Sequence, residues 1–290
     1  MKILVTGASG FIGSQFCKYH SSEFEPIALV RNVNSSIKKS RYYDGSYDSL
    51  CQALEGIDIV LHLATYYSAE HNPDDIHKLI DANISFGTHL LEAMKEKQVK
   101  KFINIGTTWQ NYMGNEHRYA NLYAASKQAF QEIVNWYVDS QNYSVINLHL
   151  NDTYGEEDTR KKLIQLLIEC AITGRELKMS PGEQQFESCY IHDIIQGLEI
   201  ALKMIIDSPP NYNETYSLLS GNNCSLKELA SIIEKVTNKK ISIHWGGRPY
   251  RDREIMKIPY HCYKTLPGWQ PKTSIHDGIE ILFDNYEVLK

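Results

Sequence analysis

Short apolar runs alternate with longer amphipathic segments through the first half of this 290-residue chain. Each run has the length of one buried strand, and each segment between runs repeats its apolar positions with the period of a helix. Strands separated by helices need crossover connections, which produce a parallel sheet with helices on both faces. The pattern therefore predicts an α/β fold with a doubly wound parallel sheet. The predicted strands are 2–6, 26–30, 58–64, 101–106 and 144–150.

Amphipathic segments between and after these strands define the helices. They are predicted at 12–21, 46–54, 73–97, 119–141, 160–173, 193–206, 226–237 and 274–289. Beyond residue 150 the alternation breaks down at turn-rich sequences such as PGEQQ and GGRPYRDRE. A large domain is therefore expected over 1–155 and 186–205. The segments 156–185 and 206–290 are expected to form a smaller α/β lobe.

Composition and charge narrow the possible classes of protein. Apolar residues make up 42% of the sequence, and the net charge is −5 with scattered lysines and arginines, which argues against a nucleic-acid partner. The six cysteines form no CxxC pair and no HExxH occurs, so no metal site or disulfide framework is predicted. The chain starts with MKILVTG and contains no run of about 18 apolar residues. We therefore expect a soluble cytoplasmic protein with no membrane partner.

The segment KILVTGASGFIG sets three glycines between the first strand and the first helix. Glycine at such a junction permits a tight turn and lets the backbone approach a pyrophosphate at the positive end of the helix. The GxxGxxG spacing predicts a dinucleotide-binding loop, with an ordinary strand-to-helix turn as the alternative. The predicted cofactor contacts of this loop are Gly7, Ser9, Gly10, Phe11, Ile12 and Gly13.

The second strand ends in LVRN, with Arg31 where a NAD-binding fold usually carries an acidic residue. A guanidinium at this point matches a 2′-phosphate instead. Lys38, Lys39 and Arg41 add positive charge nearby. The sequence therefore favours NADP(H) over NAD(H), with an ordinary exposed cation at the strand end as the alternative.

Seven motifs follow one another from end to end of the chain: TGASGFIG, HLAT, DANISFGTHLLEA, FINIGTT, YAASK, NDTYG and GWQP. Together they resemble the extended short-chain dehydrogenase/reductases, in the epimerase/dehydratase family of nucleotide-sugar enzymes. GEQQ at 182–185, RDREIM at 251–256 and the GWQP tail are most similar to the CDP-abequose and CDP-paratose synthases. Those are 4-ketoreductases of deoxysugar synthesis for bacterial surface polysaccharides such as O-antigen lipopolysaccharide. The resemblance implies a Rossmann domain that binds NADP(H) and a lobe that binds a sugar nucleotide.

The resemblance implies a catalytic set of Thr107, Tyr123 and Lys127. Tyr123 and Lys127 lie one helical turn apart in NLYAASKQAF, a spacing that any two helix neighbours share. Reduction of a carbonyl needs a proton on oxygen, and a nearby lysine lowers the pKa of a tyrosine donor by its charge. Lys127 is also expected to hold the nicotinamide ribose. Thr107 is expected to orient the substrate oxygen, with Thr108 as the nearby alternative.

Further cofactor contacts follow from the same resemblance. Asp44 is expected near the adenine, Leu63 and Ala64 in the cofactor channel, and Asn83 as a helix asparagine that braces the site. Each position has a plainer alternative. Asp44 fits a turn, Ala64 a small core residue, and Asn83 a hydrogen-bonded buried amide.

In the lobe, Arg251 is expected to pair with the substrate diphosphate, with Arg248 and Arg253 as competitors. Glu254 is expected to hold one of these arginines. The chain departs from its relatives at Phe186 and Glu187, which replace an arginine and an aspartate, and at His149, which stands where an arginine is common. CDP is the first choice of nucleotide, with dTDP, GDP and UDP open. The predicted substrate contacts are Thr108, Asn151, Gln184, Arg251 and Glu254.

A reductase, an epimerase and a non-catalytic dinucleotide sensor are the three functions that remain possible for this site. Thr108 and Trp109 replace the acidic pair that a 4,6-dehydratase carries after the threonine, which disfavours a dehydratase. An epimerase shares the triad but returns its hydride, so Arg31 favours a reductase that consumes NADPH. A non-catalytic dinucleotide sensor is the third possibility. A homodimer is expected from the resemblance, with 73–97 and 119–141 of two subunits forming a four-helix bundle.

Overall fold

The computed structural model describes residues 1–32, 37 and 39–288, with side chains described as far as 285. Lys38, one of the cations predicted near the cofactor, lies outside these residues. The strands are β1 Lys2–Thr6, β2 Glu25–Val30, β3 Ser40–Tyr42, β4 Ile59–His62, β5 Lys101–Thr107, β6 Ser144–Leu150, β7 Asp152–Tyr154, β8 Leu177–Met179, β9 Gln185–Phe186, β10 Ser188–Tyr190, β11 Asn213–Leu218, β12 Cys224–Ser225 and β13 Ile243–Trp245.

The helices follow the predicted amphipathic segments closely. They are α1 Phe11–Tyr19, α2 Tyr47–Ala53, α3 Asp75–Ile80, α4 Phe86–Glu96, α5 Leu122–Gln141, α6 Leu163–Thr173, α7 Ile191–Ile206, α8 Leu226–Thr237 and α9 Ile275–Val288. The predicted helix 73–97 is divided, because a π-helical turn at Asp81–Ser85 separates α3 from α4. Inserted turns of this kind are rare in helices and frequent at functional sites.

Seven strands form one parallel sheet in the order β11-β6-β5-β4-β1-β2-β3. The order reverses between β1 and β4, which opens a crevice at the carboxyl ends of those strands. The predicted doubly wound α/β fold is confirmed. The sequence did not predict β3 and β11, because SRY and NETYSL are too polar to stand out as buried runs.

Side chains alternate across the sheet and supply two separate cores. Ile3 and Val5 face one core, which contains α1, α7 and the lobe helices. Leu4 faces the other core, formed with α2, α4 and α5. The sheet is therefore covered by helices on both faces.

Three small strand pairs lie outside the main sheet, β7 with β10, β8 with β13 and β9 with β12, and α6, α8 and α9 belong to the segments predicted as the lobe. One predicted boundary needs correction. The segment 206–290 was assigned to the lobe, but Asn213–Leu218 pairs with Ser144–Leu150 as the last strand of the main sheet. The other boundaries stay predictions. None of the helices in the described ranges is long and apolar enough to cross a membrane.

Candidate active site

The turn between β1 and α1 leaves backbone N–H groups open to a ligand. Gly7 has φ of +67°, and its carbonyl accepts a hydrogen bond from Gly10 N at 2.9 Å. A Cβ on Gly7 would stand 2.6 Å from Ala64 N, and one on Gly13 would stand 2.3 Å from Gly7 O. Helix α1 has no side-chain N-cap. The free N–H groups of its first turn suit an anion such as a pyrophosphate.

A cleft of about 1930 Å³ extends from this turn across the carboxyl edge of the sheet to the lobe. Most of the predicted site residues line it. These are Gly7, Ser9, Gly10, Phe11, Ile12, Gly13, Arg31, Leu63, Ala64, Thr107, Tyr123, Asn151, Gln184, Arg251 and Glu254. Asp44, Asn83, Thr108 and Lys127 are not among the described residues that line the cleft.

Of the predicted cations near the second strand, Arg31 is placed to meet a cofactor. It lines the cleft beside Tyr43. Burial raises the pKa of Tyr43, and the nearby charge of Arg31 partly offsets this rise. Lys39 instead pairs with Glu25 at 3.1 Å. The guanidinium of Arg41 donates to the carbonyl of Ala53 at 2.6 Å. Of the predicted cations that the structure describes, Arg31 is therefore the one available to contact a 2′-phosphate.

Asp44 serves a local turn at the start of α2. Its carboxylate accepts a hydrogen bond from Ser46 N at 2.8 Å. Hydrogen bonds from Ser46 and Ser49 hold its pKa below the ordinary value. These contacts support the alternative in which Asp44 is a turn residue. Asp44 is not among the described residues that line the cleft, so a contact with adenine is not supported.

Asn83 lies in the π-helical turn and is hydrogen-bonded within the chain. It is fully buried, and its Oδ1 accepts from Thr65 Oγ1 at 2.9 Å and from Tyr66 N at 2.8 Å. Its Nδ2 donates to Ser126 Oγ at 3.0 Å, and that hydroxyl donates to the carbonyl of Tyr123. Asn83 therefore fastens the loop after β4 to helix α5. With these hydrogen bonds made inside the chain, it acts as a brace.

Tyr123 and Lys127 lie in the first turns of α5, which begins at the N-cap Asn121. Burial raises the pKa of Tyr123 to about 12, partly offset by a hydrogen bond with the hydroxyl of Thr65. Burial lowers the pKa of Lys127 to about 8. The charge of Lys127 acts on His62 and His149, whose pKa values burial and this charge lower to about 3 and about 4. Its expected effect on Tyr123 stays a prediction for the occupied site.

The ammonium group of Lys127 has no partner within the described part of the chain. The residue is only 2% exposed, and it makes no hydrogen bond or ion pair with any residue that the structure describes. A buried charge without hydrogen bonds is unfavourable, so a ligand with acceptor oxygens would complete the site. The hydroxyls of a nicotinamide ribose meet that need, and together with the open turn at Gly7 they fit a dinucleotide.

Thr107 ends β5 at the cleft, and its neighbour Thr108 faces away from it. Thr107 Oγ1 accepts a hydrogen bond from Trp109 N at 3.3 Å, which leaves the hydroxyl proton available for a substrate oxygen. Thr108 is buried outside the cleft lining, and its carbonyl accepts from Tyr263 Oη at 3.0 Å. The arrangement favours Thr107 over Thr108, and the predicted substrate contact of Thr108 is not supported.

An aromatic wall beside Tyr123 was missed in the sequence. The ring of Tyr67 meets Tyr123 edge to face at 5.1 Å and lies 6.2 Å from the ring of Trp109. Lys162 stands 4.5 Å from the Tyr67 ring and pairs with Asp152 at 2.9 Å. Such rings suit the apolar face of a sugar. No sequence motif marked Tyr67, because the loop after β4 brings it to the site.

The lobe presents two buried acceptor oxygens to the cleft. Gln184 is 7% exposed, and its Nε2 donates to Ser180 Oγ at 2.6 Å. Glu187 is 2% exposed, and its Oε1 accepts from Ser220 N and from Ser220 Oγ. The second oxygens, Gln184 Oε1 and Glu187 Oε2, have no partner in the described part of the chain. Burial raises the pKa of Glu187 to about 7.

The arginines of the lobe are arranged differently from the expectation. Arg251 lines the cleft but pairs with Glu70 at 2.9 Å. The carboxylate of Glu254 accepts from the backbone N–H groups of Arg251 at 3.5 Å and of Ile255 at 3.4 Å. Arg253 donates to the carbonyl of Tyr119. Arg248 lines the cleft, and within residues 1–32, 37 and 39–288 its guanidinium has no hydrogen bond or ion pair. Arg248 is therefore the arginine most available for a diphosphate.

Comparison with known proteins defines the class. The model of the NAD dependent epimerase/dehydratase family matches residues 3–214, and the chain belongs to this family. The resemblance drawn from the motifs is confirmed, including the expectation of a dinucleotide-dependent enzyme. The CDP-abequose synthase of Yersinia pseudotuberculosis is 30% identical over 276 residues, covering 92% of this chain and 94% of the relative. That of Salmonella muenchen is 28% identical over 288 residues, covering 96% of each.

Solved structures show the same fold. MoeE5 in complex with UDP-glucose and NAD superposes with a TM-score of 0.83 at 18% identity, covering 99% of this chain and 100% of that chain. The UDP-glucuronic acid 4-epimerase from Bacillus cereus, in complex with UDP-glucuronic acid and NAD, gives a TM-score of 0.83 at 22% identity over 100% of both chains. At these identities the likeness concerns the fold.

Proposed function

We propose that the chain is an NADPH-dependent 4-ketoreductase acting on a nucleotide-linked 4-keto-6-deoxy or 3,6-dideoxyhexose in surface-polysaccharide sugar synthesis. The similarity to CDP-abequose synthases supports this choice. The observation that carries it is that one cleft joins the turn at Gly7, the hydroxyls of Thr107 and Tyr123, and the polar lobe around Gln184. A cofactor, a proton donor and a sugar nucleotide can therefore meet in one space.

The residues of the chain supply the proton and the orientation. When bound, NADPH supplies a hydride to the carbonyl carbon at C4. Thr107 donates a hydrogen bond to the carbonyl oxygen and holds it toward Tyr123. The hydroxyl of Tyr123 donates its proton to that oxygen, which completes the alcohol and leaves a phenolate. Lys127 stabilises this anion by its charge and holds the ribose hydroxyls.

The use of the cofactor separates a reductase from an epimerase. A reductase consumes NADPH, whereas an epimerase returns its hydride within one turnover. Arg31, which lines the cleft directly after β2 and can pair with a 2′-phosphate, therefore favours the reductase. The epimerase remains the alternative, because it uses the same triad. The intact donor set of Thr107, Tyr123 and Lys127 has no use in a dinucleotide sensor.

A panel of substrates separates these functions. CDP-, dTDP-, GDP- and UDP-linked 4-keto-6-deoxysugars are incubated with NADPH or NADH, and cofactor and sugar are both quantified. Stoichiometric loss of NADPH with one substrate supports the reductase. Isomerised sugar without loss of cofactor contradicts it and supports the epimerase.

The lobe favours a nucleotide that offers hydrogen-bond donors. Gln184 Oε1 is an acceptor, as is Glu187 Oε2 once its carboxyl group is ionised above pH 7, and a buried acceptor is costly to leave unpaired. The exocyclic amino group of cytosine is a donor at the position where uracil carries a carbonyl, so these oxygens support CDP. Binding of CMP, dCMP, UMP and dUMP distinguishes the possible contacts. If CMP and dCMP bind equally well and both bind more tightly than UMP and dUMP, the oxygens contact the base. If CMP and UMP bind equally well and both bind more tightly than dCMP and dUMP, they contact the ribose.

A cytoplasmic homodimer remains part of the proposal. Large apolar side chains are exposed on the helices predicted to pair, including Trp136 on α5, which is 56% exposed, and Ile76 and Ile80 on α3. Sedimentation equilibrium of the wild type and of Trp136→Glu tests this. We expect a dimer that the charged variant weakens, and a monomeric wild type would contradict it.

A further inference from the structure

A row of buried polar side chains runs from Thr107 to helix α5 and strand β6. Thr107 N donates to Gln110 Oε1 at 2.8 Å, and Gln110 Nε2 donates to Gln131 Oε1 at 2.9 Å and to Gln128 Oε1 at 2.8 Å. The same oxygen of Gln131 lies 3.0 Å from His149 Nε2, and Gln131 Nε2 donates to Thr215 Oγ1 at 3.3 Å. Gln110, Gln131 and His149 are buried. We name Gln110, Gln131, His149 and Thr215 the glutamine row.

The backbone N–H of Thr107 fixes the orientation of the whole row. A backbone N–H only donates, so Gln110 must turn its carbonyl oxygen toward Thr107 and its amide nitrogen toward Gln131. Gln131 must then turn its own oxygen toward Gln110. His149 faces that oxygen and therefore carries its proton on Nε2. Burial keeps the ring neutral, which fits this single tautomer.

The row packs directly against the backbone that carries Thr107. A Cβ on Gly106 would stand 2.6 Å from Gln110 Oε1 and 2.6 Å from His149 Cδ2, so no larger residue fits there. Thr107 N is held by Gln110, and Thr107 Oγ1 accepts from Trp109 N. With the backbone held on both sides of the residue, the position of Thr107 Oγ1 is fixed, and its bond from Trp109 N leaves the hydroxyl proton for an acceptor such as a substrate oxygen.

A second row on the same elements provides an internal comparison. Asn104 Nδ2 donates to Asn147 Oδ1 at 2.9 Å, Asn147 Nδ2 to Asn213 Oδ1 at 3.3 Å, and Asn213 Nδ2 to Asn135 Oδ1 at 2.9 Å. We name these four residues the asparagine row. It lies two residues back along β5, β6 and β11 and one turn further along α5. Both rows fasten α5 to these strands, but only the glutamine row reaches Thr107.

We propose that Gln110, Gln131 and His149 are positioning residues that hold the Thr107 hydroxyl in the direction needed to bind the substrate carbonyl oxygen. The proposal rests on the catalytic role proposed for Thr107. None of the three residues touches the reacting atoms. They act through the backbone of Gly106 and Thr107.

Matched substitutions in the two rows test this role. Gln131→Leu and His149→Leu break the glutamine row, and Asn147→Leu breaks the asparagine row on the same face of β6. All are compared at a temperature at which circular dichroism shows them folded. We expect kcat to fall roughly 10- to 100-fold in the glutamine-row variants, with NADPH affinity retained, because small errors in orientation are costly to rate. Asn147→Leu should lower stability and leave kcat within about twofold. An equal loss of kcat in both rows would overturn the proposal.

A double-mutant cycle with Thr107→Ala distinguishes an effect that acts through Thr107 from a general loss of structure. If Gln131 acts through Thr107, Gln131→Leu should lower the residual rate of Thr107→Ala by less than about threefold. The effect of Asn147→Leu on stability should persist in the same background. Full multiplication of the Gln131 and Thr107 effects on kcat would overturn the proposal.

Amide hydrogen exchange separates this proposal from the proposed reaction. The Thr107 amide should exchange severalfold faster in Gln131→Leu, where Gln110 Nε2 keeps only its hydrogen bond to Gln128 Oε1, and at the wild-type rate in Asn147→Leu. If no nucleotide sugar is reduced by the wild type, the proposed function fails while this contrast still tests the row. Unchanged exchange at Thr107 in Gln131→Leu would overturn the row itself.

Discussion

The two sides of the cleft are built in different ways. On the cofactor side, the turn at Gly7 offers backbone N–H groups, and Asn83 makes its hydrogen bonds inside the chain. On the lobe side, polar atoms of Gln184, Glu187 and Arg248 have no partner among the described residues. Among the described residues, the unpaired groups of the cofactor side are donors, at Gly7 and Lys127, whereas the buried unpaired groups of the lobe are acceptors, at Gln184 and Glu187. We expect the cofactor side to act as a general platform and the lobe to select the substrate.

The largest effect is expected where the two sides meet, at Tyr123. Tyr123→Phe removes the proton donor and should lower turnover by roughly 10²- to 10⁴-fold while NADPH still binds. Tyr137→Phe is a matched control on the same helix, since Tyr137 bonds to Glu92 and does not line the cleft. Steady-state kinetics and NADPH fluorescence titration measure both. If Tyr123→Phe keeps the wild-type turnover, Tyr123 is not the proton donor.

Lys127 is a buried cation with no partner among the described residues, so its removal should separate function from stability. Lys127→Met should abolish turnover and weaken NADPH binding, yet stabilise the fold at pH 7. The lowering of the pKa from 10.5 to about 8 corresponds to roughly 3 kcal/mol of unfolding free energy at pH 7. Urea unfolding of both proteins measures this gain.

The pH dependence of that gain has a definite sign. Between pH 8 and 10.5 the unfolded lysine binds a proton that the folded one does not, so the wild type gains stability as pH rises. The advantage of Lys127→Met should therefore shrink across this window. A variant that is less stable than the wild type at pH 7 would show that Lys127 has a partner inside the protein.

Arg31 tests whether the platform has a specificity of its own. Arg31→Ala should lower the preference for NADPH over NADH by roughly 10- to 100-fold, because a charge-assisted contact to the 2′-phosphate is lost. Arg41→Ala is the control, since the Arg41 guanidinium is bound to the carbonyl of Ala53. Equal affinity of the wild type for NADH and NADPH would contradict the proposed cofactor preference.

Glu187 tests the lobe side with a smaller expected change. Glu187→Gln replaces an acceptor with a group that also donates, and the preference for CMP over UMP should fall by roughly tenfold. Isothermal titration with the two nucleotides measures this preference. An unchanged preference would show that Glu187 does not contact the base.

The same substitution should change the pH dependence of stability. Because burial raises the pKa of Glu187 to about 7, the wild type loses stability as pH rises from 4.5 to 7. Glu187→Gln should therefore be more stable than the wild type above pH 7, as measured by urea unfolding.

The same difference between the two sides explains what the sequence could predict. The glycine loop and the helices follow from local spacing, because neighbours in the chain create them. Tyr123 and Lys127 were predicted from the family resemblance, because any two residues one helical turn apart share their spacing. Arg248 and Tyr67 join the site through long-range folding, and β11 was missed because a polar edge strand lacks an apolar run. The glutamine row has no local pattern either, since Gln110, Gln131 and His149 come from three separate elements.

Transfer of a labelled hydride tests the central claim most directly. NADPH carrying deuterium at the transferred position is incubated with the enzyme and the CDP-linked 4-keto-6-deoxysugar, and the product is analysed by mass spectrometry. A reductase incorporates one deuterium at C4 for each NADP⁺ formed, and Tyr123→Phe should suppress both. A product that is isomerised without deuterium or NADP⁺ would contradict the proposed reaction.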